Sequence, residues 1–180
     1  LFQVQPLISK FILPWFGGSP SVWTTAMLFF QCALCGGYFY AFVLSRRCTP
    51  ARQTGVHLTL LALAAAAAAF IIPDASFKPE GDENPALQIV LLLLLSVGLP
   101  YFFLATTGPL VQHWYARAHP GGSAFRLYAL SNAGSLFALL SFPFLFEPYL
   151  AVQEIGRLWT LGFWAFAALC AASVLLNHAL

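Results

Sequence analysis

Apolar residues in this chain form six long runs that are separated by short polar or glycine- and proline-containing segments. A helix needs about 20 apolar residues to cross the hydrocarbon core of a bilayer, and most of these runs approach that length. We therefore predict an all-α integral membrane protein, a six-helix transmembrane bundle forming one domain over residues 1–180. Its helices are predicted at about residues 1–16, 20–44, 55–72, 86–107, 123–146 and 156–178.

The first and fourth runs depart from a simple crossing. The first is short, begins at Leu1 inside an apolar stretch and has no initiator Met, so we expect a truncated first helix and a fragment of a longer chain. In the fourth run, Gly98 and Pro100 predict a kink, because proline removes a helical hydrogen bond and clashes with the preceding turn. Gly108 and Pro109 predict a break, followed by an interfacial segment at about 110–118.

Charged residues separate by sign between the two ends of the predicted helices. All six acidic residues fall between runs three and four or runs five and six: Asp74, Glu80, Asp82, Glu83, Glu147 and Glu154. Five of the eight basic residues fall on the other side: Arg46, Arg47, Arg52, Arg117 and Arg126. Because Lys and Arg are retained on the cytoplasmic side of membranes, this pattern predicts cytoplasmic termini and external acidic loops.

Composition supports a membrane environment. Hydrophobic residues make up 60% of the chain and charged residues 8%, with a mean hydropathy of +0.79, whereas soluble domains carry about 25% charge. The net charge of +2 is small and segregated, so it indicates membrane orientation and gives no reason to expect a nucleic-acid partner. The lipid bilayer is the expected partner.

A few polar residues within the runs are candidates for function. Lys10 lies in the first run behind Gln3 and Gln5; an ionisable group at membrane depth marks a pathway or a paired charge, unless its stem carries the ammonium to the interface. No acidic residue is predicted within the membrane to pair with it. Gln31 and Asn132 can bond neighbouring helices, and structural contact is favoured over ligand binding.

The remaining chemistry is sparse. The four histidines fall near predicted cytoplasmic ends, where solvated imidazoles are expected in preference to haem or pigment ligands: His57, His113, His119 and His178. Cys32 and Cys35 have C-x-x-C spacing inside an apolar run but no second pair for zinc. Nucleotide-loop, G-x-S-x-G and paired-carboxylate motifs are absent, so we expect no catalytic residues, metal or cofactor in this chain.

Six stretches of the sequence are recognisable together: residues 2–6, 13–24, 27–31, 36–40, 106–112 and 128–136. They resemble the membrane portion of the bacterial fused transporter and spermidine-synthase-like proteins. In that family a membrane part likened to half of a major-facilitator transporter precedes a Rossmann-like domain that resembles aminopropyltransferases. The resemblance implies a bacterial cytoplasmic membrane with periplasmic acidic loops. We identify no such domain within residues 1–180, and residues 45–52 do not match the G-x-x-x-D…R-x-G-R-R loop of ordinary major-facilitator transporters.

Two functions follow as hypotheses. The first is a non-catalytic membrane anchor or small-solute transport module of a spermidine-synthase-like protein, supported by the polar residues and the interrupted helices. The second is an accessory subunit packed against a larger respiratory or photosynthetic membrane complex, supported by an aromatic content of 16%. The identity of the solute stays open.

Overall fold

A computed structural model describes residues 1–79, 81, 84–119 and 125–178, with side chains through 174. The described part of the chain consists of helices and short connections and contains no strand. The α-helices are α1 (Val4–Phe16), α2 (Pro20–Arg47), α3 (Pro50–Ala67), α4 (Pro85–Leu93), α5 (Leu99–Ala118), α6 (Phe125–Ser141) and α7 (Val152–His178). Short 3-10 turns at Ala68–Phe70 and Ala75–Phe77 and π-helical segments at Leu94–Gly98 and Phe142–Phe146 complete the secondary structure.

Five helical segments in the described residues are long and apolar enough to cross a membrane. They are Pro20–Arg47, Pro50–Phe70, Pro85–Ala118, Phe125–Phe146 and Val152–Val174. This confirms the coarse prediction of a multi-pass helical membrane protein. Helix α1 has 13 residues, about 20 Å at 1.5 Å per residue, which is shorter than the hydrocarbon core.

Helix α1 lies inside the bundle despite its short length. Val4, Leu7, Ile8 and Ile12 recur at helical spacing and are almost fully buried in the main hydrophobic core. Residues of α2, α4, α5 and α7, of the two π-helical segments, and Ile71 complete this core. A second, smaller core joins α3, α5 and α7 around Phe103 and Phe163.

The α4–α5 unit forms the centre of the bundle, and α6 lies at its edge. In an apolar 18-residue stretch of Pro85–Ala118, 61% of the residues are buried, compared with 6% in such a stretch of Phe125–Phe146. Because α6 has so little side-chain contact with the other described helices, most of its apolar surface faces outward. Lipid or another chain must cover that surface in a membrane.

The predicted break at Gly108–Pro109 is wrong. Helix α5 continues through Pro109 to Ala118, so residues 110–118 extend the same helix instead of forming a separate segment. Membrane helices tolerate an internal proline when neighbouring helices support the chain on both sides of it, and Thr106, Thr107 and Leu110 are buried around this point. Packing therefore outweighs the lost hydrogen bond.

Two helix starts lie earlier in the chain than predicted. Helix α3 begins at Pro50 instead of about residue 55, and α7 begins at Val152 instead of about residue 156. Pro50 suits a first helical position because its missing N–H has no intrahelical partner there. The α7 start is capped by Glu154, whose Oε2 accepts from Ala151 N at 2.8 Å. The predicted start at residue 123 lies outside the described residues.

The loop after α3 carries a local carboxylate contact. Asp74 Oδ1 accepts from Ser76 N at 2.9 Å and caps the Ala75–Phe77 turn. Hydrogen bonds from Ser76 hold the pKa of the Asp74 carboxyl below its ordinary value. Glu80, Asp82 and Glu83, which also contribute to the predicted charge pattern, lie outside the described residues.

Candidate functional site

Gln3, which directly precedes α1, and Gln5, within α1, each form a side-chain hydrogen bond to another helical unit. Gln3 Nε2 donates to Ser141 Oγ at 2.9 Å, at the end of α6. Gln5 Nε2 donates to Tyr101 Oη at 3.0 Å, in α5. Together with Lys10, which contacts the residue after the α6 unit, Gln3 and Gln5 lie where α1 meets α5 and the end of α6. We call these three residues the α1 seam.

Lys10 forms an ion pair with Glu147. Its Nζ lies 2.7 Å from Glu147 Oε1, with 30% of the lysine side chain and 43% of the glutamate side chain exposed. The sequence predicts no acidic residue within the membrane to pair with Lys10; the structure pairs it with Glu147, from the predicted loop between runs five and six. Glu147 follows directly on the Phe142–Phe146 π-helical segment, and its N–H bonds Phe142 O at 2.9 Å, five residues back. This wider turn orients the chain so that the carboxylate reaches α1.

A groove of about 540 Å³ opens beside this ion pair. Its polar rim consists of Gln5, Ser9, Lys10 and Glu147. Its walls are apolar and come from α2, α6 and the following π segment; they include Trp23, Met27, Phe30, Leu139, Phe142 and Pro143. A concave site of a few hundred Å³ with apolar walls and a few convergent polar groups is typical of small-ligand sites.

A second cavity of about 430 Å³ lies between the start of α1, α5 and α7. Trp159, Phe163 and Phe166 form much of its surface, and Gln3 contributes the polar side chain. It holds no charged side chain among its lining residues, so it offers less for recognition of a polar solute.

Gln31 and Asn132 do not join the α1 seam. Both side chains are exposed, on α2 and α6, and neither makes a hydrogen bond within the described part of the chain. Each side chain is therefore open to a contact outside these helices, such as a hydrogen bond to another chain. The predicted polar set thus divides into a seam of three residues and two separate ones.

The candidate hinge residues occupy two different settings. Gly98 and Pro100 lie where the Leu94–Gly98 π segment passes into α5, and a Cβ at Gly98 would stand 3.2 Å from Leu94 Cδ1. A π turn displaces the carbonyl that the Pro100 ring would otherwise meet. Gly108 and Pro109 lie within continuous α5, and a Cβ at Gly108 would meet no atom within 4 Å.

The sequence did not predict a polar cluster that lies at the C-terminal ends of α2 and α5 and the N-terminal end of α3. Gln53 is 0% exposed; its Oε1 accepts from Trp114 Nε1 at 2.9 Å. Its Nε2 donates to Cys48 O at 2.8 Å and Ser45 O at 3.2 Å. The Gln53 amide thereby joins the end of α2 to α3 and α5. The sequence gives no sign of this role, because a glutamine beside Arg52 is expected to face water.

His57 is buried, which overturns the prediction of a solvated imidazole. It is 1% exposed and lies among the rings of Tyr40, Phe103 and Trp114. Both of its ring nitrogens lack a hydrogen-bond partner in the described residues, as does the Tyr40 hydroxyl. The buried α3 positions Gln53, His57, Leu61 and Ala64 recur at intervals of three or four, and this period was the available sequence signal.

The other reactive side chains are dispersed. His119 is exposed and stacks on Tyr115 with ring centroids 4.6 Å apart, His113 is half-buried, and the side chain of His178 lies outside the described residues. Cys32 and Cys35 are free and exposed on α2. Among the described residues, no three His, Cys, Asp or Glu side chains converge as a metal site. The groove beside Lys10 and Glu147 is therefore the candidate functional site.

Comparison of the chain with protein-family models, with curated proteins and with solved structures finds no match.

Proposed function

We propose that this chain is a non-catalytic integral membrane domain that acts as a small-solute transport module, with a plain membrane anchor as the simpler form of the same role. The sequence resemblance to the fused transporter and spermidine-synthase-like proteins motivates the assignment. The observation that carries it is the groove of about 540 Å³ bordered by the Lys10–Glu147 pair, because a mere anchor needs no such site.

The proposed topology has six crossings, with α1 completing the set of five longer spans. Arg46 and Arg47 in the last turn of α2 and Arg117 in the last turn of α5 support a cytoplasmic position for these ends. Both termini then lie in the cytoplasm, and Asp74, Glu147 and Glu154 lie on the outside. In the bacterial cytoplasmic membrane that outside is the periplasm.

The proposed moving element is α6 with its π segment. Its side chains are largely unburied, whereas α1 is enclosed in the main core. Contacts such as Gln3–Ser141 and Lys10–Glu147 join the two, and polar contacts can exchange partners at low cost when a solute enters. Separation of α6 from α1 would change the opening of the groove. The candidate hinges are Gly98 in the π segment and Pro100, Gly108 and Pro109 in α5.

The charge balance of the site bears on the solute. Glu147 is the carboxylate at the groove, and Lys10 neutralises it. A polyamine would have to displace Lys10 from Glu147 before binding, so the site favours a solute with balanced charges over a polycation.

Access to the groove from the two sides of the membrane tests the proposal. Met27→Cys, in a chain whose four native cysteines are replaced by serine, places a thiol in the groove wall. We expect a membrane-impermeant maleimide to label it in right-side-out vesicles and also in inverted vesicles. A disulfide between Gln3→Cys and Ser141→Cys should abolish labelling from one side. A reductant, removed before the maleimide is added, should restore labelling of the peptide that contains position 27.

A matched cross-link serves as the control. Thr160 Oγ1 donates to Ala68 O at 2.9 Å, so Ala68→Cys and Thr160→Cys join α3 to α7 outside the proposed moving element. This cross-link should leave labelling of Met27→Cys unchanged. Labelling from one side alone in every variant would reject transport and leave the anchor.

The accessory-subunit function is the second candidate, and one observation favours it. Leu130, Leu136 and Phe137 of α6 are exposed, as is Leu169 of α7, and a partner chain would cover such surfaces. A lipid-soluble maleimide should then label Leu136→Cys after reconstitution of the purified chain but spare it in native membranes. Equal labelling in both settings would reject a partner on α6.

A further inference from the structure

We propose that the groove binds a phospholipid with an ethanolamine headgroup, which enters from the outer leaflet. This inference rests on the proposed function, since it identifies the ligand class of the same groove. It follows from three observations: one charge of each sign at the rim, apolar walls, and the depth of the ion pair along α1.

The charges at the rim match a zwitterion. Lys10 Nζ has three N–H donors and Glu147 Oε1 accepts at 2.7 Å, so further donors of the ammonium and the second carboxylate oxygen are available. Both side chains are partly exposed, at 30% and 43%, so a headgroup can reach them. A phosphate next to Lys10 and an ammonium next to Glu147 form an alternating arrangement of four charges in which every neighbour is opposite in sign.

Other headgroups fit this rim less well. An anionic glycerol headgroup has no ammonium for Glu147 and brings its phosphate close to that carboxylate. A choline headgroup carries a cation, but its methyl groups leave it without an N–H to donate. The ethanolamine headgroup supplies both the cation and the donors.

The walls of the groove fit hydrocarbon. Trp23, Met27 and Phe30 line one side, and Leu139, Phe142 and Pro143 line the other. The volume of about 540 Å³ admits part of an acyl chain, and no charged side chain other than Lys10 and Glu147 lines it. The headgroup would stay at the ion pair while the acyl chain follows the walls.

The position of the ion pair matches the depth of a lipid headgroup. Lys10 lies six residues before Phe16, the last residue of α1, which is about 9 Å along the helix axis. Glu147 follows Phe146 at the end of the α6 unit. In the proposed topology both residues lie near the outer surface, where phospholipid headgroups lie and where a lipid can enter laterally.

Quenching of Trp23 fluorescence by brominated acyl chains tests the proposal. The variant keeps Trp23 and replaces Trp15, Trp114, Trp159 and Trp164 with phenylalanine; it is placed in bilayers of phosphatidylcholine. We expect brominated phosphatidylethanolamine to quench Trp23 at a mole fraction about tenfold lower than brominated phosphatidylcholine or phosphatidylglycerol. One additional charge-assisted hydrogen bond changes the affinity by about this factor. A second variant that keeps Trp164, which is exposed on α7 outside the groove, should show no such preference.

Charge variants assign the preference to the ion pair. Glu147→Gln should abolish the preference for ethanolamine, because it removes the acceptor for the ammonium. Glu154→Gln is the matched control: it neutralises a carboxylate that caps α7 and does not line the groove, and it should preserve the preference. Lipids retained by the wild-type chain in native mass spectrometry give the same comparison without tryptophan replacements.

Equal quenching by the three lipids in the variant that keeps Trp23, or an unchanged preference after Glu147→Gln, would overturn the proposal. Displacement of the brominated lipid by soluble phosphoethanolamine would also overturn it, in favour of a free zwitterionic solute. None of these results affects the two-sided labelling of Met27→Cys, so a failure of the lipid inference is distinguishable from a failure of the transport proposal.

Discussion

Gly37 of α2 lies so close to Ala105 of α5 that a Cβ built at position 37 would stand 3.0 Å from Ala105 Cβ and 3.2 Å from the Phe102 carbonyl oxygen. A backbone oxygen has little freedom to move aside. The absence of a side chain at position 37 therefore sets the distance between the two helices, as small residues do at membrane helix crossings.

Gly37→Ala should reduce the free energy of unfolding by about 1 to 3 kcal/mol, because the added methyl group forces the helices apart. Gly108→Ala is the matched control, since a Cβ there meets no atom within 4 Å. It should be neutral or stabilising by up to about 1 kcal/mol. Reversible unfolding in mixed detergent micelles measures both, and equal effects would contradict the close approach.

Removal of two tyrosine hydroxyls should have opposite effects. Tyr101 Oη accepts a hydrogen bond from Gln5, whereas the buried Tyr40 hydroxyl has no hydrogen-bond partner among the residues that the structure describes. Tyr101→Phe should cost about 0.5 to 1.5 kcal/mol, and Tyr40→Phe should be neutral or stabilising. The same unfolding assay compares them. A destabilising Tyr40→Phe would mean that water or a ligand bonds the hydroxyl beside His57.

Gln53 and Trp114 should show coupled energetics. Gln53→Leu removes the acceptor for Trp114 Nε1 and the donor to Cys48 O, and it should destabilise the bundle by about 1 to 3 kcal/mol. Trp114→Phe should cost less in the Gln53→Leu background than in the wild type. A double-mutant cycle measures the difference, expected at about 0.5 to 1.5 kcal/mol; additive effects would show that the bond contributes nothing.

The orientation of the chain can be tested with two thiols. In a cysteine-free background, Ser76→Cys lies in the exposed loop after α3, and Thr49→Cys lies at the exposed turn between α2 and α3. An impermeant maleimide should label the first in right-side-out vesicles and the second in inverted ones. Labelling of both from the same side would refute the charge-based topology.

The helices could be predicted from the sequence because runs of apolar residues and the absence of charge have few alternatives to membrane helices. The hydrogen-bond and ion-pair partners of individual polar residues could not be predicted in this way. The π turn at Phe142–Phe146 orients Glu147 toward Lys10. A π turn contains one residue more than an α turn, and no local sequence pattern predicts it. The sequence pattern places His57 near a hydrated helix end and does not single out Gln53, yet α2 and α5 pack over both side chains.

The effect of proline on helix continuity was overestimated because it, too, depends on non-local packing. Local preference alone predicts a break at Pro109, but the surrounding packing supports the helix through it. Near Pro100 the chain responds with the Leu94–Gly98 π segment instead of stopping. Tertiary contact thus decides which prolines end a helix, and those contacts are non-local.

The Leu94–Gly98 segment has a further consequence for the angular position of every residue after it. A π turn holds one residue more than an α turn, and one residue corresponds to about 100° of rotation around a helix axis. Deletion of a single residue from this segment would therefore turn the whole of α5 by more than a quarter of a circle. Tyr101 would leave Gln5, Ala105 would leave Gly37 and Trp114 would leave Gln53, so one extra residue aligns three separate junctions of the bundle at once.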